Sequence, residues 1–459
     1  MARGRVLIDL APLRESADFR LLWGGYLATN LGSQLTLVAV AYEVYRLTGS
    51  SLAVGLVSLA QLLPLLLCSL GGGAIADLLD RRRLLLVTQL LLATTSIGLA
   101  LNAASARPAL WPLFVCSAAA AGLSGVDSPA RTALVVDLVG TRLLVQANAA
   151  WQVLFQTAQI AGPAVGGVLL GRLGVAPVFW IDAATYAVSL ASLLAIRHRP
   201  PVERAIRRLG PGAVLDGIRF LRRHQVLQAA FLVDLNAMVF GMPRALFPAL
   251  ALGRFHGGPA TVGLLYSAPA VGALGGALLT GWTAAVSRQG LAVLVAVALW
   301  GAAITGFGLT PLLVPALVLL GVAGAADVVS AIFRSTMLQV ESPEHLRGRT
   351  QAVHIAVVTG GPRLGDLESG AVAALAGPVV SVVSGGLACL AGVAVLAKAM
   401  PRFAAYRSPP VGHRVGGDAS GPGRPSLRPP PAPSSRTGVR RSGRAPAGEA
   451  AAGLDSVER

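Results

Sequence analysis

Eight charged side chains, Asp182, Asp234, Arg244, Asp327, Arg334, Arg363, Asp366 and Glu368, stand inside stretches otherwise built from Ala, Gly, Leu, Val and Ile. At the centre of a bilayer each would cost about 2.5–3.5 kcal/mol even on a lenient insertion scale, so such residues mark ion pairs, wet cavities or proton paths. A carboxyl group beside an arginine can exchange a proton for its ion pair as a cavity wets and dries, because desolvation favours the neutral acid and the cation the anion. Asp182, Asp234, Arg244, Arg363, Asp366 and Glu368 are therefore candidates for proton coupling or for a cavity wall. Asp127 and Arg131, four apart, and Asp327 and Arg334, seven apart, each fall on one helix face. They stand near one membrane surface, which suits gating ion pairs. The alternative for every one of them is a structural salt bridge.

Other chemistry is poorly represented. The histidines, His198, His224, His256, His345, His354 and His413, lack ligand spacing, so no metal site is expected. Lys398 is the only lysine and is flanked by Ala397 and Ala399, which excludes a phosphate-binding G-x-x-x-x-G-K-[ST] loop and with it an ATP-driven pump. Cys68, Cys116 and Cys389 fall inside apolar runs, where a thiol behaves as a small apolar group. No catalytic constellation stands out, so neither an enzyme nor a cofactor is expected.

The elements that must position these charges follow from composition. Of 459 residues, 54% are apolar and 13% charged, with a mean hydropathy of +0.66; a soluble domain carries about 25% charge. Twelve apolar runs of membrane-spanning length lie near 20–43, 52–76, 84–104, 109–130, 147–170 and 176–196, then 228–251, 260–284, 290–309, 312–333, 351–373 and 376–397. The reading is an all-α integral membrane protein of two six-helix bundles, 20–196 and 228–398. A cytoplasmic N-terminus covers 1–19, a linker with an amphipathic interfacial helix 197–227, and a disordered basic tail 399–459. Arginines crowd alternate loops, including Arg81, Arg82, Arg83 and Arg142, while the opposite loops hold Arg46, Arg107, Arg172 and Arg254. Since basic loops stay in the cytoplasm, both termini are expected there. The net charge of +17 is thus loop and tail charge, and a nucleic-acid partner is not expected.

Two motifs have their own physics. Gly72-Gly73-Ala-Ile-Ala76-Asp77-Leu-Leu-Asp80-Arg81-Arg82-Arg83 joins the second and third spans. It can act as a latch in which Asp77, with Arg81 and Arg82 beside it, gains and loses partners as the molecule changes state; the alternative is a topology signal. Gly162-Pro163-Ala-Val-Gly166-Gly167 in the fifth span frees backbone groups and permits a bend, or simply gives tight packing. Its counterpart Gly361-Pro362-x-x-Gly365 occupies the eleventh span. Asn148 follows Arg131 by 17 residues as Gln351 follows Arg334. Two matched stretches at the same place in each half argue for a duplication about an axis along the membrane normal.

The loop resembles the cytoplasmic signature of the major facilitator superfamily, with Leu78 and Asp80 departing from the usual Arg and Gly. Gly162, Pro163, Gly166 and Gly167 look like the element associated with antiporters there. Met242-Pro-Arg244-Ala-Leu-Phe247-Pro248, Leu346-Arg347-Gly348-Arg349 and Gly360-Gly-Pro-Arg363-Leu-Gly-Asp366 are similar to the enterobactin-exporter-like branch. The resemblance implies a monomeric alternating-access exporter in a bacterial cytoplasmic membrane, moving a siderophore, drug or other metabolite against protons. By the same resemblance the seventh span lines the cavity, which makes Asp234 with Arg244 the first proton-coupling pair to expect. An importer or uniporter of the same superfamily, or a non-transporting membrane sensor, is the alternative.

Overall fold

Ser16 starts the first long helix by accepting a hydrogen bond from the Phe19 amide, and Ser50 starts the second in the same way through Ala53. In the computed structural model, which describes residues 11–197, 219–222, 224–343 and 346–407, twelve long helices follow one another with no strand among the described residues. They are α1 (Ala17–Thr48), α2 (Ser51–Leu78), α3 (Arg81–Ala104), α4 (Leu110–Val139), α5 (Leu144–Leu173) and α6 (Val175–Ala195), then α7 (Gln225–Phe240), α8 (Pro259–Leu278), α9 (Gln289–Leu309), α10 (Leu313–Glu341), α11 (Arg347–Ala376) and α12 (Pro378–Ala399). The expected linker helix within 197–227 and the tail from 399 fall for the most part outside the described residues.

Ten of these elements are long and apolar enough to cross a membrane, α7 counting with its continuation to Arg254. The other two, α1 and α11, are interrupted midway by polar residues, Asn30, Ser33 and Gln34 in α1 and Arg363, Asp366 and Glu368 in α11, which offset their apolar residues. Four helices, α1, α4, α10 and α11, extend a turn or more beyond the apolar runs read from sequence. Apolarity marks where lipid lies, whereas hydrogen bonding carries a helix on into the interface.

One expected span is not continuous. The run 228–251 predicts a single helix, but α7 stops at Phe240, and Gly241–Pro243 break it before a short 3-10 turn, Arg244–Leu246, resumes the direction through Phe247–Ala249 and a π turn, Leu250–Arg254. Pro243 and Pro248 each lack an amide donor, and each ring crowds the carbonyl a turn earlier.

Helices α1 to α6 pack among themselves, as do α7 to α12; α2 against α11 and α5 against α8 make the two main seams between the halves. Lipid is as apolar as leucine, so close packing of small residues has to supply the attraction. Gly55 lies against the Asp366 backbone and Gly370 against Ser51 in the first seam; Gly167 and Gly263 meet in the second. Gly174 between α5 and α6 and Gly377 between α11 and α12 have φ of 86° and 91°, a region costly for residues with a Cβ. They turn the chain at the same place in each half, which agrees with the expected duplication.

The seams lie away from the chain's N-terminus. One apolar core fills most of α7–α12 and takes from the first half only the remote helix ends, including Val38, Val44, Val54, Leu113, Leu170 and Phe179. The near ends of the first half form a separate core around Phe19, Leu22, Leu85, Leu134 and Leu193. Leu221, Leu227, Leu338 and Val353 make another at the near ends of α7, α10 and α11. The halves are thus fused at one end and separately packed at the other.

Gly272 of α8 faces the backbone of Gly321 of α10 with no room for a side chain, while Gly275 faces open space. Gly272→Leu is expected to cost about 1–3 kcal/mol and to lower the unfolding temperature of the purified protein, and Gly275→Ala to leave it unchanged; thermal unfolding in detergent checks both.

Candidate functional site

Between the halves lies a cavity of about 340 Å³. Its first-half wall is rich in hydroxyl and amide groups: Ser33, Gln34 and Thr36 of α1, Ser58 and Gln61 of α2, Thr95 and Ser96 of α3, and Ser117 and Ser124 of α4. The opposite wall holds Arg244, Tyr266, Arg363 and Asp366, and Asp182 of α6 completes the first wall. Of the six sequence candidates for coupling or cavity, Asp182, Arg244, Arg363 and Asp366 therefore share one space.

Asp182 is 1% exposed. Thr36 Oγ1 and Ser96 Oγ both donate to its Oδ2 at 2.7 Å. Its Oδ1 is buried without a hydrogen-bond partner, and among the described residues no arginine, lysine or histidine pairs with it. Gly32 makes the position possible, because a side chain there would occupy the site of the carboxyl group. A buried carboxylate without a cation is costly. The hydroxyl groups offset only part of that.

Asp366 ties the halves together. Ser58 of α2 donates to its Oδ2 at 2.7 Å and the Ala245 amide to its Oδ1 at 3.2 Å. The broken stretch of α7 is stitched by its neighbours in the same way: Trp300 Nε1 donates to the Gly241 carbonyl at 2.8 Å and Tyr266 Oη to the Arg244 carbonyl at 3.1 Å. Backbone groups released by a break in lipid must find such partners inside the protein. The break leaves Arg244 on the cavity wall.

Two expectations need correction. Asp234 pairs not with Arg244 but with Arg334 of α10, at 2.8 Å, and Arg334 also lies 3.7 Å from Asp327. Asp234 and Arg334 share a small separate recess with Phe231 and His354, while Arg244 lies beyond the break. Glu368 is half-buried and is not in the cavity wall. Two residues past Asp366 is about 200° around a helix, so the pair cannot face the same way.

The remaining sequence sites form two kinds of brace. Arg131 Nε donates to Asp127 Oδ2 at 3.1 Å, and Thr88 Oγ1 and Gln89 Nε2 donate to Oδ1 at 2.9 Å each. The Arg131 guanidinium lies 4.1 Å from the centre of the Tyr26 ring, which stacks on Trp151 at 4.7 Å. These aromatics therefore brace α1, α4 and α5 and do not line the cavity. At the loop, Asp80 accepts from the amides of Arg82 and Arg83 and so caps α3, which gives the departure from Gly a physical reason. Arg81 pairs with Asp137, and Arg82 donates to the Leu193 and Leu194 carbonyls at 2.8 Å each, closing the end of α6. The side chain of Asp77 lies outside the described residues. Each of these contacts lies within one half. In α5, Gly162 and Gly166 face Gln34 and Leu35 of α1, and Gly167 faces Pro259 and Gly263 of α8, with Pro163 within the helix.

Thr36, Ser96, Ser58 and Asp137 were not legible as partners, because hydroxyl groups are common in such helices and a lone acid near a helix end has no distinctive spacing. Among the described residues no His, Cys, Asp and Glu cluster could hold a metal ion.

Residues 8–413 match the family described as transmembrane secretion effectors. The chain belongs to this family of the major facilitator superfamily. It is 28% identical over 410 residues to the enterobactin exporter EntS of Citrobacter koseri, covering 89% of this chain and 98% of that one. It is 29% identical over 384 residues to EntS of Escherichia coli O139:H28, covering 84% and 92%. Among solved structures, the D323A mutant of the nucleoside transporter NupG aligns with a TM-score of 0.68 at 15% identity, over 84% of this chain and 99% of that chain. A bacterial homologue of the human lysosomal transporter Spinster, inward-facing and unoccupied, aligns at 0.63 and 15%, over 84% and 95%. The fold is that of the superfamily, and the chain is a multi-pass membrane transporter.

Removing one partner of a buried pair strands the other. Arg334→Ala is expected to destabilise the protein by about 3–5 kcal/mol, and Asp234→Asn with Asp327→Asn in the same chain to restore part of the loss; thermal unfolding of the three forms measures both.

Proposed function

We propose that this transporter exports a small molecule across the bacterial cytoplasmic membrane by alternating access, in exchange for protons, with Asp182 as the proton carrier. The observation that supports this reading best is the setting of Asp182: buried in the cavity wall, met by two hydroxyl donors, with a second oxygen that has, among the described residues, no hydrogen-bond partner and no paired cation. A proton on Oδ1 removes the unpaired charge and supplies a donor toward the cavity. Its loss restores an anion held by Thr36 and Ser96. Asp234 is less suited to the role, because Arg334 already balances it.

The two halves, 20–196 and 228–398, act as rigid bodies. Their ion pairs and capping arginines hold each bundle together while the seams α2–α11 and α5–α8 part. With both termini in the cytoplasm, as the basic loops favour, the fused end is the outer one and the conformation described is open inward. Ser58 and Asp366 sit where the seam meets the cavity, so opening the outer end breaks that hydrogen bond. One chain encloses the cavity, and we take the working unit to be the monomer. Export is supported by the EntS relatives named above and by Pro163 and Gly167 of the antiporter-type element lying on the α5–α8 seam.

In proteoliposomes with an imposed pH gradient, Asp182→Asn is expected to lower uphill, proton-driven efflux at least tenfold while leaving downhill exchange. Asp234→Asn is expected to retain proton-driven efflux. Undiminished coupled efflux by Asp182→Asn contradicts the assignment.

A further inference from the structure

The second-half wall of the cavity is charged out of balance. Arg244 and Arg363 both line it, and among the described residues the one carboxylate in that wall is Asp366, Asp327 lying outside the cavity beside Arg334. Both oxygens of Asp366 are already engaged, by the Ser58 hydroxyl and the Ala245 amide. Among the described residues, neither arginine reaches a carboxylate at ion-pair distance. Arg363 donates through Nη1 to the Thr359 carbonyl at 2.7 Å, and its Nε is buried without a partner. Among the described residues Arg244 makes no side-chain hydrogen bond, and its backbone carbonyl is held by Tyr266.

The break in α7 sets Arg244 on this wall, with its own amide and those of Ala245 and Leu246 already bonded, to the Met242 carbonyl, Asp366 and the Pro243 carbonyl. Two guanidinium groups thus face a single, already bonded carboxylate. An arginine presents a planar fork of donors that fits a carboxylate or sulfonate in two-point contact. The facing wall, with Ser33, Gln34, Gln61 and Thr95, offers uncharged hydrogen bonding to the rest of such a molecule. The volume of about 340 Å³ is within the range of pockets for drug-sized ligands.

We infer that the transported molecule is a small organic anion whose acidic group is held by Arg363 and Arg244. This rests on reading the cavity as the site of the transported molecule. Asp366 then holds the start of the resumed segment through the Ala245 amide, and Asp182 stands across the cavity on the wall from which an anion is repelled.

The test uses three probes with one ring system and different charge, 1-naphthoate, 1-naphthamide and 1-naphthylmethylammonium, and equilibrium dialysis against the full chain in lipid nanodiscs. Naphthoate is expected to bind at least tenfold more tightly than the amide, with the ammonium weakest. Arg363→Gln and Arg244→Gln are each expected to weaken naphthoate at least tenfold without changing the amide, and Arg363→Lys to keep part of the preference. If the glutamine variants fail to fold, the wild-type ranking and the lysine variant decide. Equal or tighter binding of the amide or the ammonium, no naphthoate binding at millimolar concentration, or charge preference that survives Arg244→Gln with Arg363→Gln in one chain overturns the inference. Dialysis reads binding without transport. Failure of proton-driven efflux with the anion preference intact therefore counts against export alone, and intact efflux without the preference counts against the anion.

Discussion

A charge or an open backbone group inside a bilayer has no water to turn to, and the layout of this chain follows from how each is answered. Arg131 is answered by Asp127 and the Tyr26 face, Arg334 by Asp234 and Asp327, and the amide of Ala245 at the break in α7 by Asp366. Those answers are local, within one half. Asp182, Arg244 and Arg363 are answered least completely, and all three face the cavity. The distinction separates braces from the proposed working site. A balanced group can be buried permanently, while an unbalanced one is tolerable only where protons, water or a solute can arrive.

The same constraint governs packing. Because lipid does not drive apolar surfaces together, the halves meet through small residues and backbone contacts at Gly55, Gly370, Gly167 and Gly263. Such seams have little side-chain interlock and few polar bonds across them, the Ser58–Asp366 hydrogen bond and the donation from Gln156 to the Ala270 carbonyl at 2.8 Å being two. The separate cores at the near ends, around Phe19 and Leu85 and around Leu227 and Leu338, give each half its own rigidity.

Much of this was legible in the residues, for particular reasons. Long apolar runs located the helices, since a continuous run of that length crosses lipid by bonding its backbone within itself. The seven-residue spacing of Asp327 and Arg334 and the four-residue spacing of Asp127 and Arg131 fixed same-face pairs. The interruption of α7 was hidden, because Gly241-Met-Pro243 is apolar and leaves hydropathy unchanged. That hidden break is why Asp234 and Arg244 looked like partners: ten residues apart on an assumed single helix, they lie on opposite sides of an unwound turn. Glu368 was drawn in by its neighbour Asp366, although the helical period turns it away. The hydroxyl partners of Asp182 come from α1 and α3, far away in sequence, and no local spacing announces them. The two halves also diverge where their chemistry does. Arg131 is met from its own helix, Arg334 chiefly from α7, so the repeated backbone carries unlike charge networks.

The central claim is that two rigid halves rock about the cavity, so that one end closes as the other opens. Spin labels at Val145 and Leu278, exposed on α5 and α8 at the separately packed end, and at Leu173 and Leu375, exposed on α5 and α11 at the fused end, measure both gaps by pulsed electron resonance. Between acidic and alkaline pH in nanodiscs, the account predicts that one distance distribution shortens as the other lengthens, and that Asp182→Asn holds both in one state. Distances that change in the same sense, or that stay fixed under every condition, contradict it.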